Sequence, residues 1–203
     1  GILIFIMVFE TGAYSFAFII PQTFALFLFL NILSEKKLKL SSLLFVIPIL
    51  LANHFIFGPI FAAFAFIYYL FHQKFKKDSN ILKVLSMISV LGVIVALLAN
   101  IRGFSIEKFF QLSDIGLLGS FTNYYYPQNL SFLFTQYGFL IILFIISTIF
   151  ILTKKKAVPF AYYSVTYVSL CLMFFFLAPT YASKFLIGSS VFMTFSTIYM
   201  INS

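Results

Sequence analysis

Apolar runs close to bilayer length, about twenty residues each, recur along this 203-residue chain with short polar segments between them. The runs do not alternate polar and apolar positions, as the strands of a membrane barrel would, so the pattern predicts helices. Residues 2–9 read as the end of one span, broken by Glu10, Thr11 and Gly12. The next span covers residues 13–33 and contains Pro21, which predicts a kink or a short re-entrant start. Residues 40–71 pose a different problem. One helix of that length would reach ~48 Å, against ~30 Å of hydrocarbon. Asn53, His54, Gly58 and Pro59 interrupt the middle, so the pattern predicts a hairpin of two short helices with His54 near its tip.

Further spans are predicted over residues 81–99, 137–152, 158–177 and 185–201. Between the first two of these, residues 100–136 form the longest polar stretch, which includes Tyr124, Tyr125 and Tyr126. Its Phe109, Phe110, Leu112, Leu117 and Leu118 remain apolar, so it reads as an outer loop lying on the membrane interface. The expected fold is all-α: a polytopic transmembrane helical bundle of about seven spans plus one truncated span. It forms a single transmembrane domain over residues 1–203, and the opening at Gly1 in mid-run suggests a fragment of a longer chain.

Charge gives this pattern a direction. Ten of the thirteen basic residues fall in three clusters: Lys36, Lys37 and Lys39; Lys74, Lys76, Lys77 and Lys83; Lys154, Lys155 and Lys156. Lysine near span ends marks the cytoplasmic side, so each interval between clusters must leave the cytoplasm and return. The opposite face then carries Arg102, Lys108 and Lys184 against Glu10, Glu107 and Asp114. The net charge of +8 raises nucleic acid as a partner, but clusters at span ends without arginine orient a membrane protein instead. Composition agrees: 63% of residues are hydrophobic and 9% charged, with a mean hydropathy of +1.10. A soluble domain carries about a quarter charged residues. The 31 Phe without Trp, and the abundant Ile, Lys and Asn, point to an AT-rich genome and a bacterial plasma membrane.

Candidate chemistry gathers on the outer face: Glu10, His54, Arg102, Glu107, Asp114, Tyr181 and Lys184. Ionisable groups at span ends need water, partners or ligands. Each has a structural alternative. His54 would bond backbone at a turn, Lys184 would snorkel from a helix start, and Asp114 would cap a helix. Glu107 and Lys108 would form a solvated patch, and Glu10 would only end a span. Cys171 stands alone in an apolar run, which excludes an internal disulfide. No phosphate-cradling glycine loop, paired-histidine spacing or nucleophile elbow is present, and no metal-ligand set is predicted. The spans carry almost no charge, which argues against an ion-driven transporter.

Three stretches share a pattern with one enzyme family. Residues 41–71 run from a basic segment through an apolar helix to a His at the turn and a second short helix. Pro21-Gln22-Thr23-Phe24-Ala25-Leu26 opens an earlier span, and in residues 179–186 a basic residue, Lys184, precedes Phe185-Leu186. This arrangement resembles the GT-C membrane glycosyltransferases, although an arginine is more usual where Lys184 stands. The resemblance implies sugar transfer from a polyprenyl-phosphate-linked donor to a cell-envelope acceptor on the non-cytoplasmic face. It implies a carboxylate base in an early outer loop, upstream of this sequence, with Glu10 a poor substitute. It assigns Lys184 and Arg102 to the lipid phosphate, a role a divalent metal would share, and His54 and Tyr181 to substrate binding. A flippase for lipid-linked saccharides and a non-enzymatic membrane subunit are the competing expectations.

Overall fold

The structure is a computed structural model that describes residues 21–34, 39–53, 57–75, 77–105, 130–178, 186 and 188–203. Among these, eight helices and no strand occur: α1 (Pro21–Ser34), α2 (Leu40–Asn53), α3 (Phe57–Tyr69), α4 (Ser79–Ile101), α5 (Leu130–Tyr137), α6 (Phe139–Thr153), α7 (Pro159–Leu177) and α8 (Ser189–Ile201). A π-helical turn, Leu70–Lys74, continues α3. The all-α expectation is met. The chain divides into two compact units, residues 1–82 with 158–163, and residues 83–157 with 164–203.

In the first unit the run over residues 40–71 is a hairpin, as its length and its Gly and Pro predict. Helix α2 ends at Asn53 and α3 begins at Phe57, so the chain breaks at the expected place. Glycine at position 58 makes the hairpin possible. A Cβ there would collide with the carbonyl oxygen of Leu50 and lie 3.0 Å from the Cα of Leu51. Backbone packs on backbone at this point, as small residues allow between membrane helices. Helix α1 lies along α3 in the same direction: Phe29 stacks on Phe61 at 5.1 Å, and Tyr68 donates to the carbonyl of Leu33 at 3.0 Å. Lys39 at the start of α2 and Lys74 at the end of the π turn therefore share one end of the unit. Tyr163 ties the start of α7 to this unit through its hydroxyl, which donates to the carbonyl of Phe64 at 3.1 Å.

The second unit is built on α4 and α7, which run in the same direction. Ser86 and Thr166 share a hydrogen bond of 3.0 Å, Met173 covers Gly92, and Asn100 donates to the carbonyl of Phe176 at 2.8 Å. Helix α8 packs on α6, again in the same direction. Tyr137, before α6, donates to the carbonyl of Leu186, before α8, and Lys154 after α6 lies over the ring of Tyr199 near the end of α8. Helices α4 and α7 thus lead away from the lysines, and α6 and α8 return. This is the alternation that the lysine clusters predict for residues 81–201.

Two of these helices invert the usual sidedness of a water-soluble protein. On α4, Ser86 and Ser89 are buried while Ile88, Leu91, Val95 and Leu98 are all more than half exposed. On α6, Ser147 and Thr148 are buried while Ile145 and Ile149 face outward. Water would drive the opposite arrangement, because exposed aliphatic surface costs roughly 25 cal/mol per Å². Hydrocarbon removes that cost, and small hydroxyl residues then favour close helix contacts. Ser147 and Thr197 satisfy their hydroxyls by donating to carbonyls of their own helices, those of Phe144 and Met193.

The expected count of about seven spans is not reached by the described helices. Two, Ser79–Ile101 and Pro159–Leu177, are long and apolar enough to cross a membrane. A third span results if α5 and α6, bent by 97° at Gly138, are taken together. The reason lies in helix length: α1, α2, α3, α6 and α8 run for 13 to 15 described residues each, and Gly138, at φ +53°, and Gly188, at φ +77°, bound the starts of α6 and α8. Helix α8, at 13 residues, covers only about 20 Å.

The hairpin contact makes a comparative prediction. Gly58→Ala should destabilise the protein in detergent by about 2 kcal/mol or more, because the new methyl meets backbone that cannot yield. Gly92→Ala should cost well under half as much, because its neighbour is the flexible Met173 thioether at 3.0 Å. Thermal unfolding of the two variants side by side checks this, and equal losses would contradict the packing described.

Candidate functional site

The end of the second unit remote from the lysines is where α4 and α7 finish. Helix α4 closes in a Schellman arrangement: the N–H of Phe104 donates to Ala99 at 3.0 Å, and that of Gly103 to Asn100 at 2.8 Å. Gly103 adopts φ +79°, which a glycine after the last helical residue supplies without strain. The cap places Arg102 at the helix terminus, exposed, with its N–H bonded to Leu98 at 3.2 Å. A guanidinium here complements the negative end of the helix dipole while its five donors remain turned to the surroundings.

Asn100 connects this terminus to α7. Its side-chain amide donates to the carbonyl of Phe176, one of the last-turn carbonyls with no partner within an ideal helix. Two residues later the chain leaves the described part of the structure at Ala178, and it re-enters at Leu186. The carbonyl of Leu186 accepts bonds from the Tyr137 hydroxyl and from the N–H of Ser189, each at 3.0 Å. Both described flanks of residues 179–185 therefore lie at the same end of the unit as Arg102. Phe132 of α5 stacks with Phe175 at 6.2 Å, adding an aromatic wall beside them.

Of the expected site residues, Arg102 is the one within the described part, and it stands where the sequence places it, at the end of a span. Glu10, His54, Tyr181 and Lys184 lie outside the described residues, as do Glu107 and Asp114. Most of the expected outer loop over 100–136 lies outside them too. Sequence reasoning passed over Asn100 and Tyr137, whose signal was available: each is the hydrogen-bonding residue that adjoins the margin of an apolar run. No three His, Cys, Asp or Glu residues come together as a metal site among the described residues.

The lysine end of this unit is built differently. The ammonium of Lys83, on α4, lies 3.5 Å from the carbonyl of Lys154, which follows α6. The ammonium of Lys154 sits 5.3 Å from the ring centres of both Phe150 and Tyr199, a cation–π arrangement on two faces. Lys155 and Lys156 beside it are exposed. Lys83 of the second lysine cluster and Lys154 of the third, far apart in sequence, thus meet in space.

Fold and ends together define an all-helical, membrane-associated protein with one cationic end and one polar end in its second unit. No protein-family model, curated protein or solved structure matches the chain.

This polarity is directly measurable. With Cys171 buried and so slow to react, single cysteines at Arg102 and Lys155 should be labelled by a membrane-impermeant maleimide from opposite sides of sealed vesicles. Cysteines at positions 54 and 184 should label with Arg102→Cys. Labelling of positions 102 and 155 from the same side would contradict the opposite courses of α4 and α6.

Proposed function

We propose that this chain is the membrane-embedded part of a glycosyltransferase that uses a polyprenyl-phosphate-linked sugar and works on the non-cytoplasmic face of a bacterial plasma membrane. The positive-inside rule assigns the lysine end of each unit to the cytoplasm. In this reading the shorter helices would complete further crossings where the bilayer thins locally and flanking lysines snorkel.

The observation that carries this reading is the bond from Asn100 to the carbonyl of Phe176. It holds Arg102 at the end of the unit where the chain enters and leaves residues 179–185, the stretch that resembles the outer loop of GT-C enzymes. A donor phosphate bound there would meet a fixed guanidinium and, from Lys184, an ammonium. Both would stabilise the charge that develops on the departing lipid phosphate. The carboxylate that deprotonates the acceptor would come from a part of the protein preceding this sequence. His54 and Tyr181 would contact the sugar.

A second reading, transport of a lipid-linked saccharide, is favoured by one feature. The 97° break between α5 and α6 at Gly138 is the kind of discontinuity that transporters use to line a substrate path. Transfer keeps priority because the break stands at the end of the unit that holds Arg102, beside the bond from Tyr137 to Leu186, and not midway along the helices where transporters bind substrate.

In the full-length protein, Lys184→Glu and Arg102→Glu should each lower sugar transfer from a polyprenyl-phosphate donor by roughly 10²-fold or more. Lys184→Arg should retain most of it, and vesicle labelling at position 155 should be unchanged in all three. Unchanged transfer in Lys184→Glu and Arg102→Glu would remove both from the site. Movement of a labelled lipid-linked sugar across vesicles without transfer would favour the transport reading.

A further inference from the structure

We propose that the lysine end of the second unit binds the headgroup of an anionic phospholipid between α4 and α6. This inference rests on the membrane reading of α4 and α7 and is independent of sugar transfer. Three observations carry it. Lys83 and Lys154 come from elements 71 residues apart, yet the ammonium of one lies against the backbone carbonyl of the other. Lys154 is held in place by the rings of Phe150 and Tyr199, so its charge is positioned and not free to sweep through solvent. Lys155 and Lys156 add two exposed charges. Among the described residues of this unit there is no carboxylate to neutralise the four.

The surroundings select a lipid over a soluble anion. Directly beyond Lys83 on α4, Val84, Met87 and Ile88 are exposed, and on the last turns of α6, Ile146 and Ile149 are exposed. A phosphodiester at the lysines would therefore have its acyl chains laid along aliphatic surface on both flanking helices. Orientation of a span needs only that lysines stand near its end, whereas here Lys83 and Lys154 converge from two elements beside exposed aliphatic side chains. A lysine cluster at the cytoplasmic end of apolar helices is a chemical match for anionic headgroups, each lysine contributing about fivefold to the preference.

The sequence contains no tryptophan, so Tyr199→Trp places a reporter beside Lys154 and preserves the aromatic face. The full-length protein carrying this substitution, with every tryptophan outside these 203 residues replaced by phenylalanine, would be reconstituted in nanodiscs with phosphatidylglycerol or phosphatidylcholine brominated on the acyl chains. Phosphatidylglycerol should quench its emission at a mole fraction at least tenfold lower. Adding Lys83→Gln, Lys155→Gln and Lys156→Gln, with Lys154 kept because it packs on the rings, should abolish the difference. Lys39→Gln with Lys77→Gln, in the other unit, should leave it intact. Equal quenching by the two lipids, or a preference that survives the triple substitution, would overturn the proposal. So would loss of the preference in the Lys39 and Lys77 variant, which would indicate a general surface charge, or relief by millimolar inorganic phosphate, which would indicate a site for a soluble anion. Where Tyr199→Trp impairs folding, native mass spectrometry of the unsubstituted protein and the triple variant gives the same comparison: retained phosphatidylglycerol should fall at least tenfold in the variant, and equal retention would refute the site.

Discussion

The direction of the second unit depends on how α4 and α7 are held side by side. Two apolar helices in hydrocarbon have little hydrophobic reason to choose one register over another, because lipid tails are as apolar as their side chains. Polar contacts make the choice. Ser86 meets Thr166 near one end and Asn100 meets the carbonyl of Phe176 at the other, so the pair can neither slide nor reverse without leaving buried groups unpaired. Each such bond contributes only about 1 kcal/mol net, but an unsatisfied group away from water costs more. From this register follows the position of Arg102, and the gathering of helix ends around it.

A second constraint is length. Helices of 13 to 15 residues reach about 20 to 23 Å, short of the hydrocarbon thickness, and α2, α3, α6 and α8 all belong to this class. Their ends must then be satisfied within the protein or at a thinned interface. The structure shows several ways of doing so. The π turn after α3 extends it towards its lysines, with the N–H of Phe75 bonded to Leu70 at 2.8 Å. His72 in that turn stacks on Tyr68 at 5.3 Å, and Tyr68 in turn caps the end of α1 through Leu33. At Gly138 the N–H still reaches Phe134 at 2.8 Å, which closes the last turn of α5 before the chain bends.

How much of this was legible in the sequence divides along physical lines. Hydropathy and the lysine clusters were sufficient for the helices, for the hairpin over residues 40–71 and for the alternating course of α4, α6, α7 and α8, because each follows from a free energy summed over many residues. The number of spans was not legible. It turns on where each helix starts and stops, which leaves five of them at 13 to 15 described residues, and average hydropathy does not encode those ends. Of the candidate site, Arg102 is the residue that falls among the described ones, and it stands at a helix end as expected. Its placement comes from the Gly103 cap, whose single glycine after a long run is readable, and from Asn100, whose partner is a backbone carbonyl that no side-chain pattern reveals.

The two ends of the second unit show why charge alone does not identify chemistry in such a protein. At the lysine end, four like charges gather without a carboxylate among the described residues of this unit, and their repulsion is met by the rings around Lys154 and from outside the unit. At the other end, Arg102 stands at a helix terminus whose dipole already accommodates it. The first arrangement asks for a counter-charge as a condition of its own stability, which an anionic membrane surface supplies without specificity of reaction. The second leaves a fixed cation internally balanced and available, which is what a site that binds and releases a phosphate requires. Orientation and chemistry are thus separated by how each charge is compensated, and not by its sign.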